Sequence, residues 1–290
     1  MVNFHTINST EFKAIAVIGV AVVSIACGQS TALASERTDR AYADPLLATV
    51  QSEPDHSAQV EMATGVDYSV GDYDQTSDTT VLSTPIIAKA YLGRLRLEGN
   101  ISYLTIKGPG QVVGGVIVAP AANVTNTRRS GVGDVNLTAA YRLVDEAPTY
   151  PSLEINTDIK LATAKTTIGT GENDYGVGAN LSKSVGSTLM VFGSLGYSWL
   201  GNPSDYALKD GAYASLGLNY SPEIQKNYGL TVSYREPVAD GLDGQLMVSP
   251  YLTYRMAQSW GLTVYGASGL NSSSPRFGAG LRLSYFPSGS

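Results

Sequence analysis

Histidine is nearly missing from this 290-residue chain: His5 and His56 are the two that occur, and both precede the first strand-like segment. Hydrolysis by a Ser/His or Asp/His pair needs a base titrating near neutral pH, so His-based catalysis is excluded from the rest of the chain. Cysteine is scarcer still, with Cys27 alone. A secreted chain of this length without a second cysteine cannot be a disulfide-stapled mini-domain. Basic residues are in deficit, 19 Lys and Arg against 25 Asp and Glu, for a net charge of −6. No Lys/Arg cluster is interleaved with aromatics, so nucleic acid is set aside as a partner. Long apolar runs are absent too: the greasiest stretch, Ala14 to Ala26, falls short of the ~20 residues of a spanning helix.

That short run has a different meaning. Lys13 precedes it, and Thr31-Ala32-Leu33-Ala34 follows before the polar Ser35-Glu36-Arg37. This is the layout of a secretory signal, with cleavage expected after Ala34. Cys27, after Ser24-Ile25-Ala26, loosely resembles a lipoprotein site, and lipidation there is the rival reading. Residues 1–34 are therefore read as a signal peptide and 35–56 as a polar periplasmic lead-in with a short helical turn near Leu46 to Val50. The barrel is placed at 57–286 and a tail at 287–290.

From Gln59 onward apolar and polar residues alternate, the signature of strands with one greasy face. Leu153, Ile155, Thr157, Ile159 and Leu161 alternate with Glu154, Asn156, Asp158 and Lys160, and Phe277 to Tyr285 reads the same way. Val81 to Leu92 is less tidy, apolar on both faces with Pro85 inside. Strands are expected at 57–70, 79–92, 94–106, 131–144, 151–163, 174–186, 188–200, 211–221, 226–236, 244–256, 259–269 and 275–286. The links between them alternate between tight turns and longer polar loops, as in outer-membrane barrels. Gly (31 residues) and Tyr (18) are abundant, which suits crowded strands and membrane interfaces. The expected fold is all-β: a transmembrane antiparallel up-and-down β-barrel of about 12 strands, exported to a bacterial outer membrane. Lipid cannot satisfy backbone N–H and C=O groups, so such a sheet must close on itself, grease outward and charge inward.

Several stretches carry a family likeness. Gly131-Val132-Gly133-Asp134-Val135 is followed by Leu161-Ala162-Thr163-Ala164-Lys165 and then by Gly169-Thr170-Gly171-Glu172-Asn173-Asp174-Tyr175. Next come Leu181-Ser182-Lys183-Ser184-Val185-Gly186, Gly193 to Gly201, Asp210 to Gly217 and Ser233-Tyr234-Arg235-Glu236. In that order they resemble the outer-membrane transporter-like barrels of the meta-pathway phenol-degradation family, over residues 57 to 286. The resemblance implies a barrel that passes small organic molecules. One departure stands out: such barrels commonly end on an aromatic residue, whereas Tyr285-Phe286 is followed here by Pro287-Ser288-Gly289-Ser290. Phe286 also falls on the inner face of the alternation, so the signal read by the assembly machinery is shifted.

Lining the inside are expected Lys89, Arg94, Arg96, Glu98, Arg142, Glu154, Asp158, Lys160, Arg235, Arg255 and Arg282. Opposed charges across a narrow lumen limit solute size without strong ion selectivity. The competing reading is a structural network that fills the interior, since a small barrel leaves limited room. The longest loop, Lys107 to Ser130, contains the apolar Val112 to Ala119, either an inward constriction or a hairpin above the membrane. Arg128-Arg129 within it meets lipopolysaccharide phosphates or is merely solvated. Gly169 to Asn173 lacks the Lys-Ser/Thr of a phosphate loop, and Asp72, Asp74 and Asp78 lack the Gly and Glu of a calcium loop. No cofactor, metal or catalytic residue is assigned. The expected partners are outer-membrane lipid, lipopolysaccharide, the barrel-assembly machinery and a small solute. Passive passage of small apolar or aromatic solutes is the functional expectation, with a plugged structural or surface-interaction barrel as the alternative.

Overall fold

The computed structural model describes residues 59–73, 77–113, 116–118, 128–204 and 207–287. The expected signal with Cys27, the lead-in with His56, and the last three residues of the tail lie outside the described residues.

Alternation of polarity produces strands here because each strand is wetted on one side and greased on the other. The first three are β1 (Gln59–Gly71), β2 (Thr79–Leu92) and β3 (Leu95–Lys107). A small separate hairpin follows, β4 (Gln111–Val113) paired with β5 (Val116–Val118). Then come β6 (Arg128–Val132), β7 (Val135–Val144), β8 (Ser152–Leu161) and β9 (Asp174–Val185). Completing the chain are β10 (Leu189–Trp199), β11 (Gly211–Glu223), β12 (Lys226–Arg235), β13 (Gln245–Ala257), β14 (Trp260–Gly269) and β15 (Phe277–Tyr285). Every pairing is antiparallel, and β1 closes on β15 through a ladder running from Met62 opposite Tyr285 to Val70 opposite Phe277. The main sheet has 13 strands, of which β6 and β7 both pair with β3 and share one stave, leaving twelve. Closure removes the free edges that an open sheet would leave unpaired.

The expected boundaries agree with these to within a few residues, apart from the fourth stave, which begins at Arg128 rather than 131. Its irregularity has a clear geometry. Partners in β3 and β6 sum to 235 (Tyr103 with Val132), and those in β3 and β7 sum to 236 (Asn100 with Asn136). One extra residue therefore sits on the β6–β7 side: a β-bulge at Gly133-Asp134, where both residues are buried. Pro85, the oddity of β2, lacks an N–H; the β1–β2 ladder skips its level, and its carbonyl accepts the Thr64 hydroxyl at 2.8 Å.

Outward faces are apolar: Val66, Ile86, Ile155, Val177, Leu195, Leu216, Leu230, Val264 and Leu281 are all exposed. Aromatics bracket this belt. Tyr68, Tyr103, Tyr175, Tyr197, Trp199, Tyr234 and Phe277 are exposed toward the long-loop end, and Tyr141, Tyr220, Tyr228, Tyr254, Trp260 and Tyr285 toward the short-turn end. Trp260 and Tyr285 meet with ring centroids 4.7 Å apart, and Tyr197 and Trp199 at 5.2 Å. Along β15, Phe277 and Tyr285 are separated by about 26 Å of strand, or about 20 Å of height at the tilt usual in such barrels. An uncharged band of that height, edged with amphipathic rings, matches the hydrocarbon layer of a thin membrane.

Candidate functional site: the lined interior of the barrel

The inner face has two unlike halves. On β1 to β3 and β7 to β9 the inward positions carry charge. Arg96 lies at the centre of one cluster, with Glu98 at 3.1 Å and Glu154 at 2.8 Å. Glu154 is on β8, so the arginine reaches over β7; the residue opposite Arg96 there is Ala140, small enough to be crossed. The Asn180 amide donates to the same carboxylate at 3.1 Å. Two strands further round, on β1, Glu61 accepts from Ser284 at 2.8 Å and from Tyr91 at 3.3 Å, and lies 3.7 Å from Lys89. Together these groups form a continuous polar belt from β15 through β1, β2 and β3 to β9, nearer the short-turn end.

A second cluster stands at the long-loop end. Lys160 places its ammonium 3.4 Å from Asp134 and 3.2 Å from Asp174, and donates to Thr170 at 2.9 Å. Its side chain is 2% exposed, so the pairing is what keeps the charge tolerable there. Asp134 continues the inward alternation of Asn136 and Thr138 at the head of β7, which sets it beside the next stave. Asp134 also accepts the Ala164 N–H at 2.9 Å, and Asp174 accepts the Gly201 N–H at 3.0 Å. The triad thus ties the β8–β9 loop and the start of the β10–β11 loop to the barrel wall.

On β10 to β14 the inner face is largely neutral. Apart from Arg235 and Arg255 near opposite ends, it shows Ser194, Ser198, Ser215, Asn219, Asn227, Thr231, Ser233, Ser249, Thr253, Thr263, glycines and four flat rings. Each ring lies over a glycine in register with it: Phe192 over Gly217, Tyr213 over Gly196, Tyr251 over Gly229 and Tyr265 over Gly280. A Cβ at Gly229 would stand 1.9 Å from the Tyr251 ring and one at Gly217 2.2 Å from Phe192, so only glycine admits the ring at that height. Tyr265 extends its hydroxyl to Asp67 of β1 and joins the neutral half to the charged one.

Most of the sequence-derived candidates sit on the inner face: Lys89, Arg96, Glu98, Arg142, Glu154, Asp158, Lys160, Arg235, Arg255 and Arg282. Arg94 does not line the interior. It lies in the β2–β3 turn, half-exposed, bonded to Asp145 and to the Leu143 carbonyl at 3.2 Å, because the strand begins one residue after it. Four inward acids were not among the candidates: Glu61, Asp67, Asp134 and Asp174. Alternation alone would have found all four, since Asp134 is in phase with Asn136 and Asp174 with Ser182. With them, seven acids stand against the seven bases among those candidates, and Arg129 of β6, opposite the inward Ile106, adds an eighth base near the loop end. Phe286 does point inward, its ring 5.7 Å from the Arg255 guanidinium.

The loops revise two expectations. Arg129 is a structural donor rather than a phosphate ligand: its guanidinium bonds the carbonyls of Gly108, at 3.2 Å, and Gly110. Within the 107–130 loop the described part is a hairpin, and 119–127 lie outside the described residues. It is the β8–β9 loop that bends inward, carrying Ile168 onto Val81, Leu104, Ile106 and Tyr73. Asp78 pairs with Arg276 at 2.6 Å, while Asp74 lies outside the described residues.

No protein-family model matches the sequence, and no curated protein matches it. Among solved structures the chain is similar to the COG4313 outer membrane channel from Pseudomonas putida F1, at 15% identity and a TM-score of 0.59, over 81% of this chain and 99% of that one. It is also similar to the KdgM porin, at 10% identity and a TM-score of 0.51, over 78% and 98% of the two chains. At such identities the likeness establishes the barrel fold.

Proposed function

We propose that this protein is an outer-membrane barrel through which small, largely apolar or aromatic solutes pass without energy input. The observation that carries the reading is the division of the inner face. A charged half whose members pair with one another stands opposite a half of hydroxyls, amides and flat rings with few charges. A neutral solute moving along the second half need not strip water from an unpaired ion. The aromatic-edged apolar exterior supports residence in a bilayer, with lipid and lipopolysaccharide around the barrel and assembly machinery reading its last strand. Export through a signal cleaved after Ala34 belongs to the same proposal. So does membership of the phenol meta-pathway barrels, which rests on the ordered motifs between Gly131 and Glu236. The solved outer-membrane channel and porin of similar fold support passage over an adhesive or plugged role.

The test is reconstitution of the folded barrel in liposomes and in a planar bilayer. Swelling should be faster with small hydroxylated aromatics than with sugars of equal mass, and conductance should be small. A barrel that passes neither ions nor small organics would sink the proposal and favour the plugged form.

A further inference from the structure

Ile168 and its neighbours make the one buried apolar cluster that includes inward strand positions among the described residues; the other, Leu200, Leu208 and Val238, belongs to the loops above the strands. Val81 of β2 and Leu104 and Ile106 of β3 form a fixed wall, the latter two fully buried. Ile168 is supplied by a loop four staves away from β2. It lies across the inner face of the bulged stave, where a Cβ on Gly131 would be 3.1 Å from its side chain. The loop is anchored at its base, by Ala164 on Asp134 and Thr170 on Lys160, and its tip is a short turn in which the Ile168 N–H donates to the Lys165 carbonyl at 2.8 Å.

A second observation points to the same place. Tyr73, 2% exposed in this cluster, has φ of +50° and is the one non-glycine residue with positive φ among those described. Left-handed backbone is costly for an aromatic residue, and such strain gathers at ligand clamps. Its ring packs back beside Gly71, and burial pushes its phenol pKa well above the usual range, so it stays neutral. Gly108 packs against Thr79, just above Val81, and the Gly110 N–H bonds the Thr79 hydroxyl at 3.0 Å.

We propose that this cluster is a latent binding site for the apolar body of a solute, with Ile168 as the group that the solute displaces. The fixed wall gives the site its shape, and the anchored loop lets its tip swing without leaving the barrel. An apolar guest that takes Ile168's place recovers the same contacts, as small aromatics do in dry cavities lined by aliphatic side chains. The site deepens the passage reading and rests on it for its purpose, though binding can be observed by itself.

The probe is bromobenzene, soaked into crystals of the protein and located by the anomalous signal of bromine. A peak bounded by Val81, Leu104, Ile106 and Tyr73 is expected, and Ile168→Ala should bring it to equal occupancy at a roughly tenfold lower concentration, because the space is then already open. No peak there in either protein, or bromine on the outer belt alone, overturns the site. Bromobenzene uptake by cells carrying each form separates the two claims. Uptake without binding at the cluster sinks the site and leaves passage standing, whereas binding without uptake sinks passage and leaves the site.

Discussion

Single side chains inside the barrel are valuable in proportion to how completely they are paired. Lys160 is enclosed by two carboxylates and a hydroxyl, with almost no exposure. Lys160→Met should cost about 3–5 kcal/mol, since it strands two buried carboxylates, and adding Asp134→Asn and Asp174→Asn should recover much of that. Urea unfolding of the detergent-solubilised barrel reads both; an unchanged midpoint for the single variant would contradict the triad. Gly229 makes the opposite demand, for emptiness. Gly229→Ala should destabilise the barrel by about 1–3 kcal/mol through collision with the Tyr251 ring. In a double-mutant cycle Tyr251→Ala should absorb most of that penalty. Additive losses would mean that the ring does not need the glycine. The ring-on-glycine pairs show where sequence reading stops. Alternation places Tyr213, Tyr251 and Tyr265 inward, but the glycine each one covers is defined only by strand register. Tyrosine abundance was read as interfacial, and for Tyr228, Tyr234 and Tyr285 that holds.

Turns and loops work as separate devices. At the short-turn end, Glu146 clamps the β7–β8 turn to β9: its carboxylate accepts from the Ser184 N–H at 2.9 Å, the Ser184 hydroxyl at 3.1 Å and the Lys183 ammonium at 3.0 Å. Partial burial pushes its pKa up, but these donors outweigh it and hold the carboxyl below the ordinary carboxylate value. A lowered folded pKa means that the clamp contributes above the unfolded carboxylate pKa and is lost as pH falls through the folded one. Hydrogen exchange at the Ser184 amide should therefore accelerate, relative to other strand ends, once the pH falls below the ordinary carboxylate value, with Glu146→Gln abolishing the difference. Equal pH dependence in the two proteins would dismiss the clamp. The bulge at Asp134 was not legible, because one inserted residue leaves the polarity pattern of β7 intact and shows only as a shift in partners. The inward bend of the β8–β9 loop was missed for a related reason: the longer, greasier 107–130 loop drew attention, whereas Ile168 is one apolar residue among polar ones.

For the whole molecule, strand count, strand boundaries and the inside-outside assignment were legible because lipid and water impose opposite demands on alternate residues. Balance was legible too, although several of the acids that provide it were not named. Lys89, Arg96, Arg142, Lys160, Arg235, Arg255 and Arg282 face Glu61, Asp67, Glu98, Asp134, Glu154, Asp158 and Asp174. In a salt gradient the reversal potential should lie near zero. The pair Glu98→Gln and Glu154→Gln, which leaves Arg96 without its two carboxylates, should shift it toward anion preference. No shift in the planar-bilayer recording would mean that ions bypass this belt. One more property follows from the ladder between β1 and β15. A ring of neighbours linked pairwise has no privileged starting point, so order along the polypeptide and order around the cylinder are the same list read cyclically. The shape is indifferent to where that list is cut.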